Sequence, residues 1–111
     1  METLLVLTNL PDAATAEALA TTLVEQRLAA CVNVLPRCRS IYRWQGAVEK
    51  ADEVALLIKT SAARYEELEA AIRARHPYAT PEIIAVPVER GLHDYLAWVA
   101  AETAAESEEG P

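Results

Sequence analysis

Two strand-like runs meet at Gln45-Gly46-Ala47, residues 40–44 (Ser40-Ile41-Tyr42-Arg43-Trp44) before the turn and residues 49–60 after it, and they read as one long hairpin. The second run is apolar on both faces at its centre, Val54-Ala55-Leu56-Leu57-Ile58, as expected of a strand inside a sheet. Such a hairpin needs further strands beside it and helices over it. A chain of 111 residues has too few helices to cover it all, so exposed strand edges around Tyr42-Arg43-Trp44 call for another copy of the chain.

The remaining segments fit around that hairpin. Thr3-Leu4-Leu5-Val6-Leu7-Thr8 is a strand that stops at Asn9-Leu10-Pro11-Asp12, a turn leading into an N-cap. Ala16, Leu19, Leu23 and Arg27 recur at helical spacing and predict a helix over 13–27. Residues 30–35 read as a strand, and Pro36, which cannot donate to a ladder, marks an edge, a bulge or a break. Ser61 is an N-cap candidate for a second helix. Its apolar face is Tyr65, Leu68 and Ile72, with Glu66 and Glu67 early and Arg73 and Arg75 late, and Pro77 ends it. Residues 82–88 give a fourth strand, placed at an edge by Pro87. Beyond the break at Gly91, Leu92, Tyr95, Leu96 and Val99 form a last short helix. The chain turns acidic and small from Glu102, so the single domain is expected to close near residue 104, with 105–111 as a frayed acidic tail.

The order is β-α-β-β-α-β plus a terminal helix, which predicts an α+β ferredoxin-like sandwich with two helices on one face of an antiparallel sheet. The formal net charge of −7, from 17 acidic and 10 basic residues, repels a phosphate backbone and argues against a nucleic-acid partner. A ferredoxin-like RNA binder would also want aromatics on its sheet face and a basic surface. Met1-Glu2-Thr3 carries no positive n-region, the apolar runs are too short to span a membrane, and Cys31 and Cys38 make no disulfide framework. A cytoplasmic protein with reduced thiols is expected.

Five stretches go further than fold class. They are Ala29-Ala30-Cys31-Val32-Asn33-Val34, Ser40-Ile41-Tyr42-Arg43-Trp44-Gln45-Gly46, Leu57-Ile58-Lys59-Thr60, His76-Pro77-Tyr78-Ala79-Thr80-Pro81-Glu82-Ile83 and Tyr95-Leu96-Ala97-Trp98. In this order and spacing the chain closely resembles the CutA divalent-cation tolerance family, from about Leu5 to about Val99. The resemblance implies a homotrimer whose long hairpins pair across subunits, and an architecture similar to the PII signalling proteins. It implies a link to copper or another divalent cation, and no reaction. Copper-binding members resemble this chain but carry a cysteine at the end of the first strand and a His-His pair before the Pro-Tyr. Here those positions hold Thr8, Arg75 and His76, so copper is expected to bind weakly or through surface groups, and no tightly held cofactor is expected.

The ligand inventory is thin: Cys31, Cys38, His76, His93 and Met1. Cys31 and Cys38 would face opposite sides of a regular strand. Cys31, among apolar residues, reads as a small buried hydrophobe. Cys38, between Arg37 and Arg39, is the better candidate for adventitious metal. His76 is the metal candidate of the polar group His76, Tyr78 and Glu82, which is set among prolines; Lys59, interrupting an apolar strand, is expected to face Glu82. These residues either lock a turn or line a cleft between subunits that binds a small anion or metabolite. Trp44 either joins that cleft or packs into a neighbouring subunit. Ser40 and Ser61 have no nearby base, and three glycines form no phosphate loop, so no catalytic residue is expected. Acid–base use of Lys59, His76 and Glu82 is the enzymatic alternative. The reading is therefore a trimeric metal-linked sensor or scaffold, with a PII-like small-molecule-binding module as the alternative.

Overall fold

The computed structural model describes residues 2–105. Strands β1 (Thr3–Leu10), β2 (Cys31–Trp44), β3 (Ala47–Ser61) and β4 (Ile84–Pro87) alternate with helices α1 (Ala13–Glu25), α2 (Tyr65–Arg75) and α3 (His93–Glu102), and a 3₁₀ turn, Ala62–Arg64, leads into α2. The sheet order is β2-β3-β1-β4 with every neighbouring pair antiparallel. This is the ferredoxin-like α+β arrangement that the order of elements predicts.

Strand alternation sorts the side chains. Val6, Thr8 and Leu10 of β1 and Val54, Leu56, Ile58 and Thr60 of β3 are buried on one face. They pack with Ala16, Leu19 and Leu23 of α1 and Leu68 and Ile72 of α2. Each buried leucine contributes about 1.5–3 kcal/mol relative to exposure. The residues between them face the other way. Leu5, Leu7 and Leu57 are only half-buried there, and Ile84 and Val86 beside them are exposed. Helix α3 covers one end of this second face, where Thr103 is hydrogen-bonded to Ser61.

Four local features correct or sharpen the sequence expectations, each for a physical reason. Helix α1 stops at Glu25, because Arg27 adopts φ 60° in the left-handed region. There the Leu28 N–H bonds the Leu23 carbonyl and the Arg27 N–H bonds the Val24 carbonyl. This is a Schellman cap built without its usual glycine. Of the three readings of Pro36, the edge and the bulge hold and the break does not. The strand runs through, and between Leu35 and Cys38 it takes one residue more than β3, a β-bulge with Arg37 at φ 52°. That extra residue puts Cys31, opposite Lys59, and Cys38, opposite Glu53, on the same face of the sheet. Ser61 is not a side-chain N-cap but the last residue of β3, with its hydroxyl turned to Thr103. The chain also stays anchored past Glu102. Thr103 is buried, its hydroxyl donates to the Val99 carbonyl at 2.8 Å, and the Arg27 guanidinium donates to the carbonyls of Ala101 at 2.8 Å and Ala104 at 3.3 Å. Most of the expected acidic tail, from residue 106 onward, lies outside the described residues.

The β2–β3 hairpin outreaches the sheet. The last β1–β3 pair is Leu10 with Val54, so from there to the turn the two strands have only each other. The turn, Gln45 at φ 48° and Gly46 at φ 84°, has positive φ at both positions, the geometry whose twist matches a hairpin's strands. The resulting arm accounts for the molecule's 55 × 29 × 23 Å extents and carries Ile41, Tyr42, Trp44 and Val48 exposed.

Candidate functional site

The segment between α2 and β4 folds across the end of β1 and is held there through His76. Carbonyl oxygens only accept, so the 2.7 Å contact between His76 Nε2 and the Asn9 carbonyl requires a proton on Nε2. Nδ1 then accepts the Tyr78 N–H at 3.2 Å. Both ring nitrogens are occupied, and the ring sits 4.9 Å from that of Tyr78. His76 thus ties its turn to the end of β1.

Tyr78 reaches onward. Its hydroxyl donates to Glu53 Oε2 at 3.0 Å. Burial, followed by this bond and by the Glu53 charge, pushes the phenol up from 10.0 to about 12. Glu82 lies on the same segment, and the Asn9 side-chain amide donates to its Oε1 at 3.4 Å. An open cleft of about 680 Å³ lies between this segment and the root of the arm, lined by Asn9, Tyr78 and Glu82 and by Glu53, Tyr42 and Trp44 of the hairpin. Its walls hold two carboxylates and, among the described residues, no lysine, arginine or histidine.

The expected site residues therefore divide. Tyr78, Glu82 and Trp44 line the cleft, with His76 buried behind Tyr78 as its anchor. Lys59 stands apart. It is paired with Cys31, four β3–β1 steps from the Asn9 level, and its ammonium bonds the Asn33 side-chain oxygen rather than facing Glu82. Cys38 is a free, half-buried thiol opposite Glu53. Cys31 lies beside Tyr95, whose phenol is raised by burial first and by the Cys31 thiol next. Asn9 and Glu53 were not singled out from sequence. Glu53 carried a signal, an acidic residue at the margin of an apolar central strand. Asn9 carried none, since its role comes from where β1 ends.

Among the described residues no divalent-cation site assembles within one chain: no three of His, Cys, Asp and Glu lie close enough together to hold an ion. His76 has no free nitrogen, Thr8 points into the helix-side core rather than the cleft, and Arg75 is exposed. No helix of the described residues is long and apolar enough to cross a membrane.

A small antiparallel α+β sandwich with a projecting hairpin and an acidic, aromatic cleft at its root is the class of protein these features define. Residues 4–102 match the family model described as CutA1 divalent ion tolerance protein. The divalent-cation tolerance protein CutA of Thermus thermophilus is 45% identical over 98 residues, covering 88% of this chain and 95% of that one. Solved structures agree. CutA from Xylella fastidiosa superimposes with a TM-score of 0.91 at 43% identity, covering 94% of this chain and 100% of that chain. CutA1 from Oryza sativa gives a TM-score of 0.92 at 33% identity, covering 96% and 97%. The chain belongs to the CutA divalent-cation tolerance family, whose name describes a tolerance and not a reaction.

Proposed function

We propose that this protein works in the cytoplasm as a homotrimer, a metal-linked sensor or scaffold that catalyses no reaction. One observation carries the reading: beyond the end that α3 reaches, the second face of the sheet has no cover among the described residues. Leu5, Leu7 and Leu57, with exposed Ile84 and Val86, form a bare face, and the arm adds exposed Ile41, Tyr42, Trp44 and Val48. Soluble monomers rarely expose that much contiguous apolar surface, and closed rings of identical copies cover it. Light scattering after gel filtration should give three times the 12.1 kDa protomer mass. A monomer at micromolar concentration would sink the reading.

The donor set supports a loose relation to the cation. With both His76 nitrogens bonded and the two thiols at separate sheet positions, Cu²⁺ should bind with micromolar affinity at best, roughly −8 kcal/mol or weaker. A nanomolar, stoichiometric site that survives both Cys→Ser changes would contradict this. The cleft of about 680 Å³ favours a second reading, a PII-like small-molecule-binding module, since its size is that of a ligand site.

A further inference from the structure

We propose that Lys59 of one copy of the chain completes the cleft of the next, where it pairs with the carboxylates Glu53 and Glu82. This rests on the trimer reading and adds to it the contact that sets how the copies meet. The strand register sorts the charges. Residues 5, 7 and 9 of β1 and 53, 55, 57 and 59 of β3 share the second face of the sheet with 31, 33, 35 and 38 of β2. Among the paired strand positions of that face, Lys59 is the only cation. Arg39, Arg43 and Lys50 alternate onto the opposite side of the arm. The acids of the second face are Glu53 and, further out on the arm, Glu49. Glu82 joins Glu53 at the cleft.

Neither sign of charge finds a counterion inside the chain. Lys59 and Glu53 lie on one strand, separated by about 20 Å at the usual rise per residue. Among the described residues the ion pairs are Arg39 with Asp52 and Arg64 with Glu67, so Lys59, Glu53 and Glu82 have none. Lys59 is half-buried, opposite Leu5 on one side and Cys31 on the other, and its ammonium spends one of three donors on Asn33. Glu53 is only 8% exposed, and its hydrogen-bond partner is a neutral phenol. Both charges are tolerated while water reaches them from the bare face. Once other copies cover that face, each is a charge withdrawn from water, which is costly unless paired. A ring joins unlike patches of identical copies. The lysine end of one face therefore meets the cleft end of the next, and Leu5, Leu7 and Leu57 are buried between. A copy docked one step along the strands would leave the lysine against leucines and the carboxylates without a cation, so the pair also selects the register of assembly.

Charge reversal on the full chain tests this. The readout is the protomer concentration at which the assembly half-dissociates by light scattering, in urea at a level where the parent passes through that midpoint. Lys59→Glu and Glu82→Lys should each raise the midpoint at least about tenfold, because like charges then meet. The double variant restores an opposite pair and should recover most of the loss, which a folding defect in either single change does not produce. Glu53, too buried to reverse, is tested by a cycle: Glu53→Gln should weaken the parent several-fold and should add little on top of Lys59→Met. A midpoint unmoved by both reversals, a double variant no tighter than the looser single, or additive losses in the cycle would overturn the proposal and leave the trimer standing. A parent that is monomeric without urea would overturn both.

Discussion

The two faces of the one sheet differ in self-sufficiency. On the helix side, Val6, Leu10, Leu56 and Ile58 meet α1 and α2 and are at or near full burial. On the other side, Leu5, Leu7 and Leu57 stay half-exposed, and the arm leaves Trp44 53% exposed and Val48 62% exposed. The same strands supply both faces. What separates them is the supply of helices: α1 and α2 both lie on one side, and α3 reaches only the end of the other. A strand pattern thus specifies a buried face only as far as the chain can provide cover, and apolar residues beyond that point are addressed to something outside the chain.

The largest expected effect tests that contrast directly. Leu56→Ala, in the fully buried side, should cost about 2–5 kcal/mol in denaturant unfolding, at any protein concentration. Val48→Ala, at the arm, should cost under about 0.5 kcal/mol in a dissociated chain. If copies cover the arm, its cost should instead grow with protein concentration, because it acts on assembly. Equal, concentration-independent losses at both positions would erase the distinction between the faces.

The next effect concerns the point where the second face does have cover. Thr103 joins α3 to the last residue of β3 through Ser61 at 3.0 Å, and both are buried. Thr103→Val keeps the shape and leaves the Ser61 hydroxyl short of its partner, which should cost about 1–3 kcal/mol. A change below a few tenths of a kcal/mol would mean that α3 is held by Val99 and the Arg27 clamp alone.

On the helix side a smaller effect of opposite sign is expected. Thr8 is fully buried and its hydroxyl has no partner among the described residues. Thr8→Val removes an unsatisfied group without changing volume and should stabilise by about 1 kcal/mol. Loss of stability would indicate a buried water or a second conformation serving that hydroxyl.

The contrast also explains what was legible in the sequence. Element order, sheet class and the covered core follow from local signals: period-two and period-3.6 patterns, Pro11 and Pro77 as stops, Pro87 at an edge. Errors arose where a non-local contact replaced the usual local one. Arg27 takes a glycine's conformation because its guanidinium is also paid for at α3, and Ser61 is claimed by Thr103 rather than by α2. The cleft was half legible. Tyr78, Glu82 and Trp44 stood out by type, whereas Lys59 was assigned to it by charge and lies elsewhere. The acidic partner of Tyr78, Glu53, stands one residue beyond the last β1–β3 pair, and the contact with Tyr78 spans 25 residues of sequence that no local pattern links.

The smallest effect probes the border between the two regions, where the segment carrying Tyr78 docks on the arm's root. Burial first and the bond to Glu53 next push the Tyr78 phenol from 10.0 to about 12. A folded-state value above the unfolded one means that the native state holds this proton more tightly. Its contribution is therefore fully present below about pH 10 and is lost as pH rises through about 12. The step should be modest, because the side chain is more than a third exposed and solvent screens it. The difference in tyrosinate absorbance between the parent and Tyr78→Phe isolates this one phenol from the other tyrosines. Its midpoint should fall near 12, and thermal stability of Tyr78→Phe should decline less than the parent's between pH 10 and that midpoint. Glu53→Gln should lower the midpoint only in part, since burial, the larger cause, remains. A midpoint near 10, the value of a free phenol, would mean that the segment is not docked in solution and that the cleft wall is absent.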